Sequence, residues 1–343
     1  MSRKLRLLVL TDHLSHNSEN SLYALCTALI AHPNVDVVDV ASRGHAANAV
    51  FFAHGQSTLL HAWRLRGAMR YEDGARRFVE RTTLVDARDY DWIWLRLPRP
   101  IPSAFFVFLR ETIGEARIFN RPSGIEETST KQFLTHFQEY CPPIRLCQSV
   151  EDIRQFQEQF PIVLKPVQNY GGRGIVKISK GYVYENRRRL AFHRYLPVLE
   201  KQLNEEGGYL AMEYLRNVRK GDKRIIVVGS EIIGAVLRLP PKGSWLCNAA
   251  QGGQAAAASV DEREWLITQK LIEALTPRGI LMFGIDTLVN NQGLRILSEV
   301  NTLSVGGLKP LQDLSGRPVV QRAADILVAF MRQEAVDVSL KKI

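Results

Sequence analysis

A chain of 343 residues, 45% hydrophobic and 23% charged, has room for two or three packed units with their own cores and the composition of an ordinary globular protein. Its 45 Lys and Arg against 35 Asp and Glu give a formal charge of +10, which suits phosphorylated or carboxylate-bearing small molecules and invites a test for nucleic-acid signals. No apolar run approaches the ~18 residues of a membrane span, and Leu7–Leu10 is too short for a signal peptide, so a cytoplasmic protein with no membrane partner is expected.

Leu5 to Leu10 is an apolar strand. A loop from Asp12 to Ser21 follows, and then Leu22, Leu25, Cys26 and Leu29 recur on one face of a helix. Val35–Val40, Asp91–Leu95 and Ala116–Asn120 are further strands, so residues 1–122 are expected to form an open, mostly parallel α/β domain. Ligands of such sheets sit at the carboxyl ends of strands, here the loop after Leu10 and Arg96. His13 and His16 share that loop, which leaves a local role open. Between Arg64 and Arg99 acidic residues interrupt the arginines, and neither that region nor Arg187-Arg188-Arg189 carries the aromatic–Gly pattern of an RNA-binding sheet; no nucleic-acid partner is expected.

Past Pro122 the pattern changes. A helix is expected from Ser129 or Thr130 to Tyr140, and another from the N-cap Ser149 with Asp152 three residues on. Strands follow at Ile162–Lys165, Gly174–Ile178, Tyr209–Glu213, Lys223–Val228 and Glu231–Leu237, the last two joined by the hairpin signal Gly229-Ser230. Residues 239–260 show no periodicity, as a working loop would. Trp265, Leu266, Leu271, Ile272 and Leu275 outline a helix face, and Val319–Met331 an amphipathic helix that packs on the core. The four cysteines lack paired spacing and are expected to be free thiols; Cys247, on the working loop, is weighed as a nucleophile and set aside.

Near the end, Gly284-Ile285-Asp286 and Ser298-Glu299-Val300-Asn301 lie on two strand-like runs separated by Asn290-Asn291-Gln292-Gly293. A hairpin with Val289 facing Leu294 sets Asp286 roughly opposite Leu297, on the face shared by Leu297, Glu299 and Asn301. Two carboxylates and an amide oxygen on one face make a hard-oxygen site for Mg²⁺ beside nucleotide phosphates; the alternative is an ordinary solvated face. Upstream, Lys165 ends a strand before the Gly-rich turn Asn169-Tyr170-Gly171-Gly172-Arg173-Gly174. Glycines admit backbone N–H groups close to phosphate, but the stretch is neither a P-loop nor a GxGxxG turn, and alone it fits a plain hairpin as well.

In combination, Lys131, Lys165 with its Gly-Gly loop, Met212-Glu213-Tyr214-Leu215, Gly221-Asp222-Lys223-Arg224, Arg238-Leu239-Pro240, Asn248 with Gly252-Gly253, and Glu299-x-Asn301 follow an order that resembles the ATP-grasp superfamily, within it the bacterial-type glutathione synthetases. The resemblance implies two α+β subdomains, 123–207 with the Gly-rich loop and 208–343 with the metal site and lid, behind the N-terminal domain. It implies that Lys131 and Lys165 contact ATP phosphates under a loop containing Gly171, Gly172 and Gly174, that Glu213, Tyr214 and Leu215 hold adenine, and that Asp222 lies near the ribose. Asp286, Glu299 and Asn301 would hold Mg²⁺, with Mn²⁺ as a substitute, and Arg224, Arg238 and Asn248 would act on the acyl substrate and the transferring phosphoryl group.

The chemistry so implied joins a carboxylate to an amine through an acyl phosphate, with γ-glutamylcysteine and glycine as the leading pair and a homo-oligomer left open. Positioning and charge neutralisation carry such phosphoryl transfer, so no Ser-His-Asp or Cys-His group is needed. Two departures fall where substrates should meet: Leu246 stands where the family has a lid arginine, and Thr302-Leu303-Ser304-Val305-Gly306-Gly307 keeps only the serine of the family's Val-Thr-Ser-Pro-Thr. They keep open a ligase for another acid and amine, such as an amino-acid ligase of secondary metabolism, or one that adds amino acids to a protein terminus. A nucleotide-binding regulator without turnover is the alternative from another class.

Overall fold

The computed structural model describes residues 3–72, 76–168, 174–185, 188–241 and 254–340. Three sheets follow one another along the chain. In the first, Leu5–Thr11 is flanked by Val35–Ser42 and Trp92–Leu95, and Ile118–Phe119 pairs outside the latter, all in parallel. The helix Ser21–Ala31 begins where Asn20 caps it, its side chain accepting from Leu22 N at 3.0 Å. Leu22, Leu25, Cys26 and Leu29 are all buried beneath it, as their spacing requires.

Two antiparallel strands, Leu59–Arg64 and Thr83–Asp86, widen this sheet at one edge and have no counterpart in the expected elements. The second, Thr83-Leu84-Val85-Asp86, has its two apolar residues side by side, so alternation gives no signal there.

The second sheet is antiparallel and runs, edge to edge, through Arg188–Ala191, Tyr182–Glu185, Val176–Ser179, Ile162–Pro166, Tyr209–Glu213 and Ile144–Cys147. Tyr209–Glu213 thus belongs to the sheet of the Gly-rich loop, although the 207/208 boundary assigns it to the following unit. Helix Val150–Gln157 opens with a full capping box between Ser149 and Asp152. A second helix, Phe192–Glu206, was hidden by Pro197 in its interior. The helix expected to end at Tyr140 is present as Lys131–Tyr140, a 3₁₀ helix kinked at Phe137.

The third sheet orders Gln254–Ala258, Glu231–Leu239, Asp222–Val228, Met282–Val289 and Arg295–Asn301, all antiparallel. Gln254–Ala258 falls inside the stretch expected to be structureless; its alanines gave no period to detect. Helix Glu262–Leu275 buries Ile267, Leu271, Ile272 and Leu275, but Trp265 and Leu266 stand half exposed, off the face assigned to them. The last helix runs from Val319 to Leu340 and buries Val320, Ala324, Leu327 and Met331. No described helix is long and apolar enough to cross a membrane.

The first and third sheets are riveted by Asn120. Its Oδ1 accepts from Leu281 N and Met282 N at 2.8 and 2.9 Å, and its Nδ2 donates to Met282 O and Thr302 O at 2.6 and 2.7 Å. Every donor and acceptor of the amide is used, and it grips the start of one hairpin strand and the residue after the other. Arg96, buried and stacked on Trp94, adds a bond to Val305 O at 2.8 Å. Asn120→Ala strands two buried N–H groups and should lower unfolding stability by about 2–4 kcal/mol; urea titration of both proteins measures it.

Candidate active site

The hairpin Met282–Val289/Arg295–Asn301 does not take the simple register. Leu294 N–H bonds to the Asn290 side chain and Asn290 N–H to Leu294 O, so the first strand pair is Val289 with Arg295. Continued regularly, that register would set Asp286 opposite Ser298 and turn Glu299 to the other face. Ser298 instead bulges: Thr287 pairs with Leu297 while Asp286 pairs with Glu299. Asp286, Glu299 and Asn301 therefore do share a face, but Asp286 is not opposite Leu297, which turns away and is fully buried.

Lys165 crosses from the second sheet to this bulge. Its ammonium donates to Ser298 O and Ser298 Oγ, each at 3.1 Å. Burial lowers its pKa, opposed by the nearby charges of Glu299 and Asp286. Lys131, also buried, begins the 3₁₀ helix and bonds through its N–H to Val167 O at 3.2 Å, just beyond the strand that carries Lys165. Gly174 has φ +69°, a left-handed backbone suited to glycine. Gly171, Gly172, Asn248, Leu246 and Cys247 lie outside the described residues.

Arg224 and Arg238 come from the strands beside the hairpin. Arg224 pairs in register with Asp286 and binds it through both Nε and Nη2, the latter at 2.8 Å. Arg238 forks onto Asp222 at 2.8 and 2.6 Å and reaches Asp286 at 3.1 Å. Burial alone would raise the Asp286 pKa, but the two guanidiniums outweigh it and hold the carboxyl well below the usual range. Asp222 goes the other way: burial, then the Asp286 charge, pushes it up to about 6 despite Arg238. Asn301 Nδ2 completes the set at 3.3 Å from Asp286. Glu299 makes no side-chain hydrogen bond among the described residues.

Glu213, Tyr214 and Leu215 lie apart from this cluster, at the turn end of the hairpin. Asn291 ties them there, donating to Glu213 Oε1 at 2.7 Å and accepting from Arg216 N at 2.9 Å. Tyr214 N–H bonds to Pro161 O, and its ring lies under Lys177, 3.9 Å away. Leu215 is buried and precedes a short 3₁₀ turn, Arg216–Lys220. Asp222 pairs with Arg238, beside Asp286.

His13 and His16 are internal packing elements. Ser42 Oγ already accepts from His13 N and Gly44 N, so its proton goes to His13 Nδ1 at 2.6 Å. His16 bridges Thr11 and Tyr23, and burial lowers its pKa to about 4. The thiols of Cys26, Cys141 and Cys147 are free and pushed up to about 12 by burial.

Ser298 as the lysine's partner and Asn120 as an anchor of Thr302 were not singled out by their sequence surroundings, whereas Arg96, expected at a ligand-binding strand end, is buried and anchors Val305. A bulge leaves no signature in composition, and an asparagine that clamps two distant segments has no local one. Gly284 was read only as part of a strand. A Cβ there would meet Arg224 Cδ at 2.9 Å, so glycine provides the floor along which Arg224 reaches Asp286. Gly284→Ala should cut turnover by roughly 10-fold or more, about 1.4 kcal/mol in the barrier per decade, and cost about 1–3 kcal/mol of stability, since the Cβ also meets Val305 Cγ1 at 3.2 Å; steady-state kinetics alongside a melting curve checks this.

Comparison with known proteins bears on this geometry. The model of the prokaryotic glutathione synthetase ATP-grasp domain matches residues 130–316. Glutathione synthetase of Rhodopseudomonas palustris is 28% identical over 265 residues, 76% of this chain and 80% of the relative. That of Thermosynechococcus vestitus is 30% identical over 237 residues, 67% and 70%. Among solved structures, D-cycloserine synthetase DcsG superposes with a TM-score of 0.65 at 13% identity, covering 95% of this chain and 99% of that one. The macrocyclase MdnC of Microcystis aeruginosa, bound with precursor peptide MdnA, gives 0.59 at 15% identity, 94% and 99%.

ATP and Mg²⁺ are what this family implies, and the donor types fit: Asp286, Glu299 and the Asn301 amide offer hard oxygens on one face. Among the described residues no group of three or more His, Cys, Asp or Glu could hold a metal. The match spans more than half of the chain and includes Lys131, Lys165, Arg224, Arg238, Asp286, Glu299 and Asn301; the chain belongs to the prokaryotic glutathione synthetase ATP-grasp family and is a carbon–nitrogen ligase.

Proposed function

We propose that the chain activates a carboxylate with ATP as an acyl phosphate and passes the acyl group to an amine. The observation that supports this best is the cross-strand pair Asp286–Glu299 with Lys165, Arg224 and Arg238 converging on it. Bound Mg²⁺ would neutralise phosphate charge, held by Asp286, Glu299 and Asn301. Lys165, on the strand that leads into the Gly-rich loop, and Lys131, bonded to Val167 just beyond it, would hold phosphate oxygens. Arg224 and Arg238 would exchange carboxylate for the transferring phosphoryl group, for which a guanidinium is a well-matched partner. Glu213 to Leu215 would hold adenine, and Asp222 would orient Arg238 more directly than it touches a ribose.

γ-Glutamylcysteine and glycine are the leading pair, supported by the curated relatives named glutathione synthetase. A second acid–amine pair is favoured by Leu246 and by Thr302–Val305, which depart from the glutathione synthetase pattern where substrates would meet. The fold neighbours that make D-cycloserine or act on a precursor peptide are consistent with that breadth.

Phosphate release with Mg²⁺, ATP, γ-glutamylcysteine and glycine, each omitted in turn, tests the first pair. Release that needs both, with the tripeptide seen by mass spectrometry, is the expected result; turnover only with another pair moves the reading to the second. Glu299→Ala should lower turnover by at least ~100-fold with the fold retained, since it removes a group worth several kcal/mol of charge stabilisation. Full activity in that variant would sink the metal assignment. Leu246→Arg should shift preference toward acids or amines bearing an extra carboxylate, and an unchanged panel would remove the lid from specificity.

A further inference from the structure

We infer that Arg224 and Arg238 close Asp286 to a free divalent cation, so that metal is accepted only together with nucleotide phosphates that draw the arginines away. The inference rests on the proposed metal role of Asp286, Glu299 and Asn301.

A carboxylate has about four lone-pair positions. On Asp286, Oδ1 accepts from Arg224 Nε and has Arg238 Nη2 at ion-pair distance, 3.1 Å, and Oδ2 accepts from Arg224 Nη2 and Asn301 Nδ2. Both oxygens are engaged, so a metal bond there displaces a donor. Glu299 is the opposite case, with no side-chain hydrogen bond among the described residues. The proposed ligand set thus has one open carboxylate and one closed one.

Charge points the same way. Arg224, Arg238 and Lys165 face Asp222, Asp286 and Glu299, three cations against three carboxylates. Among the described residues a dication approaching this cluster meets no excess negative charge, and taking Asp286 would leave Arg224, only 14% exposed, without its carboxylate. Nucleotide phosphates change both conditions. They bring several negative charges and offer each guanidinium a bidentate partner equivalent to the one it gives up. Arg224 and Arg238 lie on neighbouring strands with Gly284 as the floor under Arg224, so the exchange needs side-chain rotation and no strand movement.

The test is Mn²⁺ binding followed by electron paramagnetic resonance of the full chain, with no turnover required. Four samples are compared: wild type alone, wild type with the non-hydrolysable analogue AMPPNP, and Arg238→Gln and Arg224→Gln alone. Arg224→Gln leaves the Asp222–Arg238 pair intact and serves if Arg238→Gln does not fold. Either variant should bind Mn²⁺ alone at least ~10-fold more tightly than wild type, the scale on which partners of metal ligands act. Adding Glu299→Gln to the variant should abolish the gain. Equal Mn²⁺ affinity in wild type and both variants, with protein-bound Mn²⁺ still formed in the presence of AMPPNP and lost in Glu299→Gln, overturns the inference and leaves the metal site standing. Absence of protein-bound Mn²⁺ even with AMPPNP, beyond what the analogue binds by itself, overturns the metal reading and the inference with it.

Discussion

Lys165 holds Ser298 by its carbonyl and its hydroxyl, and that grip sits on the one residue by which the hairpin departs from regular pairing. A strand alternates its side chains strictly, so a single extra residue reverses every face beyond it. With Ser298 accommodated, Asp286 and Glu299 stand across from each other and Leu297 goes into the core. Without it, one carboxylate would point at solvent or core while the other kept its place. A buried ammonium that satisfies the bulge's carbonyl thus fixes the geometry and adds positive charge beside the two carboxylates in the same contact.

The strand Asp222–Val228 carries ion pairs on both of its faces, and they do different things. Asp222 and Arg224 look toward the carboxylate cluster, whereas Lys223 turns the other way to Glu264, Ser259 O and the helix Glu262–Leu275. Glu264 is fully buried, yet it also takes a hydrogen bond from Thr287 at 2.6 Å and closes the capping box with Asp261. That network has all its members satisfied, which is how a buried carboxylate is tolerated. On the facing side Arg224 and Arg238 pair with Asp286 and Asp222, while the Glu299 side chain has no hydrogen bond among the described residues. Adjacent residues of one strand thus serve a closed network on one face and a partly open one on the other.

Much of this was legible in the chain. Alternating apolar residues and their turns placed the hairpin strands, Ser149 and Asp152 announced a capping box that the helix carries in full, and Leu22 to Leu29 found their buried face. The carboxylates could be named because only a few residue types hold a hard cation. What escaped depends on long-range contact. Register beyond Ser298 is decided by a lysine 133 positions away. Helix Phe192–Glu206 survives Pro197 because Tyr195, Leu199 and Leu203 pack on the second sheet's core, and Gln254–Ala258 is a strand because Glu231–Leu239 offers it an edge. Trp265 and Leu266 show the converse, apolar residues that helical spacing assigned to the core and that packing left outside.

Asn120 and Arg96 give the molecule a further property. The stretch that matches the family model begins at residue 130, yet the bonds that hold Met282, Thr302 and Val305 come from residues before it. Those three positions bracket the hairpin that carries Asp286, Glu299 and Asn301. Cutting the chain at the edge of the matched stretch would leave Leu281 and Met282 N–H groups without the Asn120 acceptor. The recognisable part is therefore not a separable module: its geometry is braced from outside, and any transplant or truncation of it has to carry the first sheet along.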